Sequence, residues 1–322
     1  MSVGAYSGAS DTGRKRRRNE DSYVIAPPLF AVADGMGGAQ AGEIASKLAA
    51  AALEDTDPGA LSGEDRVTSL IQEANRRVYE RSNEDPNASG MGTTITVALV
   101  EDSGVTIGHV GDSRAYRYRD GSIEQITEDH SLVNELMKSG KLSPEEAETH
   151  PQRSVITRAL GTDPDVDVDH FTVEAHAGDV FLLCSDGLTT MVDDDDILGV
   201  LEKYHDDLDR ATKSLVSAAN RGGGEDNITV IAFAISDGGE TAQMPTVDNE
   251  DTMENVIPPP SVDTMVVPPD QVEHVFVEPG SPEAEAVTRR EPISPAARVR
   301  LVLVMLALLA VAAVLLVWGL VR

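Results

Sequence analysis

Over residues 1–236 the apolar positions fall into short runs separated by polar turns, and these runs follow two different periods. Short apolar, strand-like runs occupy 22–26, 29–33, 93–100, 105–110, 115–119, 179–184 and 228–235. Pro27-Pro28 breaks the first pair, and Asp120-Gly121 between YRYR and SIEQI predicts a hairpin. A helical period predicts helices over 40–53, 64–83, 132–139, 144–149, 194–204 and 208–220, several with Ser or Asp near the start as caps. Strands and helices do not alternate as strict units, which argues against a doubly wound parallel sheet. The expected fold class is therefore α+β, with antiparallel sheets covered by helices.

Beyond residue 236 the pattern changes. Residues 237–297 are rich in Pro, Asp, Glu, Thr and Val, include Pro258-Pro259-Pro260 and Pro268-Pro269, and sustain no helical or strand period. That composition predicts a disordered, extended acidic linker. Within it Asp251-Thr252-Met253 and Asp263-Thr264-Met265 repeat a small pattern whose threonines are candidate kinase targets or phosphopeptide ligands, set against a plain solvated spacer. Residues 298–322 form a juxtamembrane and transmembrane segment by expectation. The run 301–321 carries no charge and, at about 1.5 Å per residue, spans the roughly 30 Å hydrocarbon core. Arg298 and Arg300 flank it on the side expected to be cytoplasmic. The N-terminus lacks the apolar stretch of a secretory signal. The expected location is the cell membrane, single-pass, with the folded domain in the cytoplasm.

Composition narrows the partners. The 322 residues are 41% hydrophobic, enough for a real core, and carry a net charge of -29. A chain this acidic repels nucleic-acid backbones, so no nucleic-acid partner is expected. A single cysteine, Cys184, excludes an intramolecular disulfide and a cysteine-based zinc site.

The positions of the acids carry the chemistry. LFAVAD ends at Asp34, VTIGHVGD at Asp112 and VFLLCSD at Asp186, while Asp226 opens DNITVIAF. If the strand after Asp226 runs antiparallel to those before Asp34 and Asp186, the carboxylates gather at one edge of the sheets. Desolvated like charges at such an edge need a cation, and oxygen donors suit Mg2+ or Mn2+. Gly35, Gly37 and Gly38 crowd the DGMGG loop so that backbone carbonyls can approach a ligand. The basic run Arg14 to Arg18 reads by itself as a solvated face or a patch for anionic lipid.

Together these segments resemble the metal-dependent type 2C serine/threonine protein phosphatases, particularly their bacterial branch. The resemblance runs in order through RRRNED (16–21), ADGMGG (33–38), MGTT (91–94), VGDSRAY (110–116), RSVITRALG (153–161), CSDGL (184–188) and EDNITV (225–230). It covers essentially all of residues 1–236 and nothing of the linker. It implies a helix-flanked β-sandwich in which Asp34 bridges two metals, the Gly35 carbonyl binds one of them, and Asp186 and Asp226 bind the other. A third site, frequent in bacterial members, would fall on Asp112, Ser154 and a share of Asp186. Glu20 and Asp21 would ligate metal directly or orient its waters. Arg16 matches the family's phosphate-binding arginine.

The implied reaction is hydrolysis of phosphoserine and phosphothreonine on proteins by a water that the cations activate for in-line attack. Many eukaryotic relatives carry histidine where this chain has Met36, and a thioether cannot protonate the leaving alkoxide. His109 is a candidate acid; His130 and His150 flank the segment matching the bacterial flap and are candidate substrate contacts. The catalytic domain is expected to be monomeric and to act on phosphoproteins, with membrane-anchored Ser/Thr kinases and their targets as the natural partners. A catalytically weak phosphoprotein-binding protein and an anti-sigma-pathway regulator are the alternatives.

Overall fold

The computed structural model describes residues 1–37, 41–56, 60–86, 88–237 and 265–266. Residues Met1–Val272 form one unit and Glu273–Arg322 a second, and every residue of the second lies outside the described residues. The elements follow the order β1 (Ser2–Asp11), β2 (Asp21–Ala26), β3 (Leu29–Met36), α1 (Ala41–Asp55), α2 (Gly63–Glu84), β4 (Gly92–Thr93), β5 (Ile95–Glu101), β6 (Gly104–Val110), β7 (Arg114–Arg119) and β8 (Ser122–Gln125). They continue with α3 (Leu132–Lys138), α4 (Pro144–Glu148), β9 (Val155–Ile156), β10 (Asp169–Val173), β11 (Val180–Cys184), α5 (Asp186–Thr189), α6 (Asp194–Tyr204), α7 (Leu208–Gly222), β12 (Ile228–Ser236) and β13 (Met265–Val266).

Two antiparallel sheets form the centre. One has the order β1-β12-β11-β7-β8 and the other β10-β6-β5-β3-β2, with β4 paired to β3. The inner strands β3, β5, β6, β11 and β12 read as nearly unbroken apolar runs because both faces are covered. On β3, Phe30 and Val32 enter the layer between the sheets, while Leu29, Ala31 and Ala33 join the layer under α1 and α2. On β11, Phe181 and Leu183 face inward, and Val180, Leu182 and Cys184 meet α6 and α7. At the centre Phe233 stacks on Phe30 at 4.2 Å and on Phe181 at 5.4 Å between ring centroids. This stack draws one ring from β3 and two from the facing sheet, so it ties the sheets together. The helices follow from local sequence: α2 buries Val67, Leu70, Ile71, Ala74 and Val78 at helical spacing, and Asp193 and Asp207 cap α6 and α7.

The expected α+β sandwich is the observed one, with local differences: β9 and β10 have no counterpart among the predicted strands, and the run 93–100 is divided at Thr94 into β4 and β5. β1 has no counterpart among the predicted strands, because SVGAYSGASD is small and polar rather than apolar. Its hydroxyls answer this chemistry: Ser10 meets Thr229 at 2.8 Å and Ser7 meets Thr212 at 3.2 Å. A Cβ on Gly8 would lie 2.7 Å from Cδ1 of Ile25 on the second sheet, so that side-chain tip would have to turn aside for a larger residue. The predicted strand 179–184 is β11, and Asp186, two residues beyond its end, opens the single turn α5. Within 237–297, where the pattern gives no strand, Met265–Val266 form β13. The remainder of that linker and the apolar run 301–321 lie outside the described residues, among which no helix is long and apolar enough to cross a membrane.

Candidate metal centre and active site

One pocket collects acids from both sheets. Its lining is Arg16, Glu20, Asp34, Gly35, Met36, Gly37, Thr94, Asp112, Asp186 and Asp226. Asp34 lies within β3, Asp112 follows β6, Asp186 begins α5 after β11, and Asp226 precedes β12, which runs antiparallel to β11. Antiparallel pairing therefore delivers the end of one strand and the start of its neighbour to the same edge, as the sequence suggested. Asp21 opens β2 directly across the ladder from Asp34 and is buried behind the lining.

Glycines make this convergence possible by letting backbones touch. A Cβ on Gly35 would fall 2.1 Å from the Gly42 carbonyl oxygen and 2.5 Å from that of Glu20. Gly35 is thus required first by the approach of α1 to β3. A Cβ on Gly187 would fall 2.0 Å from the Asn227 carbonyl oxygen, so this glycine brings Asp186 beside Asp226. Gly13, at φ 79°, sits against the Asp226 carbonyl in a conformation that glycine alone adopts cheaply. Gly38 lies outside the described residues.

Polar side chains fix the acids. The Asp34 N–H donates to Thr94 Oγ1 at 3.0 Å, the Thr94 N–H donates to the Asp34 carbonyl at 2.9 Å, and Thr93 Oγ1 donates to that carbonyl at 2.8 Å. Thr94 Oγ1 also meets Ser113 Oγ at 2.8 Å, coupling β3 to the turn that carries Asp112. Ser185 donates to Asp21 Oδ2 at 2.8 Å. Asn227 has the widest reach. Its Oδ1 accepts from the Glu20 N–H at 2.7 Å, and its Nδ2 donates to the Thr12 carbonyl at 2.8 Å and the Arg18 carbonyl at 2.9 Å. It thereby straps the loop bearing Arg16 and Glu20 onto the start of β12. Asn227 carries no role in the sequence reading; its only signal there is a polar residue opening a buried strand.

Electrostatics show what the pocket lacks. Burial raises the Asp34 carboxyl well above its usual range, and the neighbouring Asp21, Asp186, Asp226 and Asp112 carboxylates add to the shift. Burial likewise lifts Asp112 well above its usual range, with Asp186 and Asp129 contributing. Asp21 and Asp186 are pushed up to about 7, in each case first by burial and then in part by Asp226. Asp21 Oδ1 and Asp186 Oδ1 are buried without a hydrogen-bond partner among the described residues. Arg16 supplies one positive group, its Nη2 donating to Asp226 Oδ2 at 2.7 Å. Burial opposes the Arg16 charge, but Asp226 outweighs it and raises the guanidinium pKa. Among the described residues no three acidic, His or Cys side chains stand in position to hold one metal ion as they are arranged. With Arg16 taking Asp226, cation binding requires small side-chain movements. The donor set, all oxygen with orphaned buried carboxylate atoms, nevertheless fits a hard divalent cation.

Several expected residues stand elsewhere. Ser154 is exposed on the turn before β9 and does not join the lining, since that turn faces solvent. His109 is fully buried, with Nδ1 against Thr96 Oγ1 at 3.0 Å and Nε2 against the Glu128 carbonyl at 3.0 Å. Burial and the adjacent His130 push its pKa down to about 3, so it is a neutral core residue rather than a proton donor. His130 is buried too, accepting the Gly111 N–H through Nδ1 at 3.0 Å and meeting Asp169 at 3.1 Å through Nε2. It positions the turn before Asp112 and is not exposed to substrate. His150 is buried, its Nδ1 accepting from the Gln152 N–H at 3.2 Å.

Comparison with known proteins follows the same boundaries. The family described as Protein phosphatase 2C matches residues 15–219. The serine/threonine protein phosphatase PstP of Mycobacterium tuberculosis is 41% identical over 234 residues, covering 72% of this chain and 45% of that protein. This chain thus spans under half the length of that relative. The serine/threonine phosphatase Stp of Listeria welshimeri is 40% identical over 233 residues, covering 69% of this chain and 92% of that protein. Among solved structures, that of the M. tuberculosis phosphatase PstP/Ppp has a TM-score of 0.68 at 40% identity, covering 73% of this chain and 99% of the other. The PstP catalytic domain in complex with two manganese ions has a TM-score of 0.67 at 38% identity, covering 74% and 100%.

Two outcomes are expected from the geometry. Asn227→Ala strands the Glu20 N–H and releases the Arg16 loop, lowering stability in urea melts by about 1–3 kcal/mol. For His109 the folded pKa lies below the unfolded value of 6.5, so the unfolded chain takes up the proton. Its contribution is intact above about pH 6.5 and lost as pH falls toward 3, by at most about 1.4 kcal/mol per unit. His109→Gln should flatten that part of the stability profile relative to the parent, and an unchanged slope would contradict the neutral assignment.

Proposed function

Because the chain belongs to the protein phosphatase 2C family, we propose that it hydrolyses phosphoserine and phosphothreonine on proteins with divalent cations bound in this pocket. The observation that carries the reading is the convergence of Asp34, Asp112 and Asp186, each half-buried, on one cleft with Asp226 and a lone guanidinium. Asp34, the Gly35 carbonyl, Asp186 and Asp226 would hold two Mn2+ or Mg2+ ions, with Asp112 and a share of Asp186 available to a third. Ser154 would reach that third ion only by movement of its turn. Bound there, the cations would offset the carboxylate charge and activate a water for attack on phosphorus.

The chain's own residues divide the remaining work. Arg16 exchanges Asp226 for the phosphate, its planar fork matching two phosphate oxygens. Glu20, whose backbone is held by Asn227, orients waters at the rim, while Asp21, held by Ser185, backs Asp34 from behind the lining. The lining contains no histidine, and Met36 has no proton to give. Protonation of the leaving serine or threonine oxygen therefore falls to a carboxylic acid of the cluster or to water.

The second part of the proposal concerns place and partners. The charge-free run 301–321, preceded by Arg298 and Arg300, tethers the catalytic domain to the cytoplasmic face of the cell membrane as a single-pass anchor. Attachment raises its effective concentration near membrane-anchored Ser/Thr kinases and their targets, which we take as its phosphoprotein partners.

Phosphopeptide hydrolysis by the full chain should appear with Mn2+ and vanish with chelator, and Asp34→Asn or Asp226→Asn should each lower kcat at least about 100-fold. Activity that survives chelation or both substitutions would sink the mechanism. On cell fractionation the full chain should sediment with membranes and resist salt extraction, whereas a chain ending at residue 297 should be soluble. Equal partitioning of the two would remove the anchor.

A further inference from the structure

β9 has a partner from far along the chain. Met265–Val266 pair with it in parallel, Met265 opposite Val155 and Val266 opposite Ile156. Elsewhere Ile156 bridges Ser131 in antiparallel fashion, so the two-residue strand is supported from the folded domain and receives β13 besides. Its backbone is anchored on both flanks: the Val155 N–H donates to the Gln152 carbonyl at 3.2 Å and the Thr157 N–H to the His130 carbonyl at 2.8 Å.

The position of β9 gives this pairing its interest. Ile156 is fully buried in one apolar cluster with Met36 and Ala159, and Met36 lines the phosphate pocket. Polypeptide laid along β9 therefore passes beside the site. An edge of this kind accepts extended chain through main-chain hydrogen bonds, with little demand on side-chain identity. Met265–Val266 belong to Asp263-Thr264-Met265-Val266-Val267, closed by Pro268-Pro269, a β-branched run that cannot continue as helix. The related pattern at Asp251-Thr252-Met253 continues with Glu254-Asn255 and lacks the valines.

We propose that β9 is a docking site for extended polypeptide, occupied in the resting chain by Met265–Val266, which phosphoprotein substrates displace on binding. Two paired residues form a weak contact between separate molecules. Covalent attachment raises the effective concentration to the order of millimolar, which allows such a contact to populate within one chain. Residues 238–264, at up to about 3.3–3.6 Å each, give sufficient reach. The segment thus acts as an intramolecular competitor, selective for substrates that bind in extended form. The competition rests on the phosphatase reading above; the docking itself does not.

The test compares the full chain with the double variant Met265→Pro/Val266→Pro and with Val256→Pro, a proline control in the same segment. Hydrogen exchange across residues 152–158 should accelerate by the same factor as KM changes, roughly two- to fivefold, in the double variant only. KM for an extended phosphopeptide should fall two- to fivefold in that variant, while kcat/KM for p-nitrophenyl phosphate, too small to use a strand edge, stays unchanged. Equal exchange in all three chains overturns the docking, whether or not they are active. Faster exchange with an unchanged phosphopeptide KM overturns the competition. A chain that shows the exchange difference but no hydrolysis of either substrate overturns the phosphatase reading and the competition with it.

Discussion

Mutual repulsion among crowded, partly desolvated carboxylates is the constraint around which this structure is organised. Asp21 is buried and Asp34, Asp112 and Asp186 are half-buried, close enough together that desolvation and neighbouring carboxylates raise their proton affinity. Left to relax, such a set would spread apart or take up protons. Here spreading is resisted because each acid is fixed by backbone rather than by its own flexible side chain. Asp34 is inside a strand, Asp186 starts a helical turn wedged by Gly187, and Asp226 is followed at once by Asn227 and β12. Neutralisation must come from outside the acids, and Arg16 provides only one charge for it.

That rigidity depends on the sandwich behind the pocket. The acids come from both sheets, so their relative positions are only as well defined as the contact between the sheets. The Phe30–Phe233–Phe181 stack supplies this contact, and helices on both outer faces remove the freedom of either sheet to slide. Much of the chain's acidity has no part in the site. Asp193 and Asp207 cap helices, Asp179 is held by Arg119, and Glu73 and Glu80 pair with arginines on the exposed side of α2. Such pairs add little stability individually, and the net charge of -29 says more about solubility than about the reaction.

The pocket wall also links catalysis to the rest of the chain. Met36 stands where a proton-donating residue would be chemically useful, and its side chain instead packs with Ile156 of β9. Apolar packing at that point joins the DGMGG loop to the segment bearing Ser154, and through β9 to Met265–Val266. Met36, which has no proton to give, thus builds a contact between the site and a distant part of the sequence.

Short apolar runs ending in aspartate, turn signals between them and capped helical segments were sufficient to determine the α+β sandwich and its acidic edge. Those features are local, and each is dictated by the period and chemistry of a few neighbouring residues. Asp34, Asp112, Asp186 and Asp226 were legible for the same reason, whereas Arg16 and Glu20 were indicated by the family resemblance; the structure brings all six to one lining. Asn227 was not, because its importance lies in reaching backbone groups more than 200 residues away. β1 was hidden because its small and polar residues carry no hydrophobic signal, and its hydroxyls find their partners only on β12 and α7. The fate of His109, His130 and Ser154 was likewise a tertiary matter. A histidine's burial and a serine's exposure depend on which elements cover them, and only the packed sheets and turns decide that.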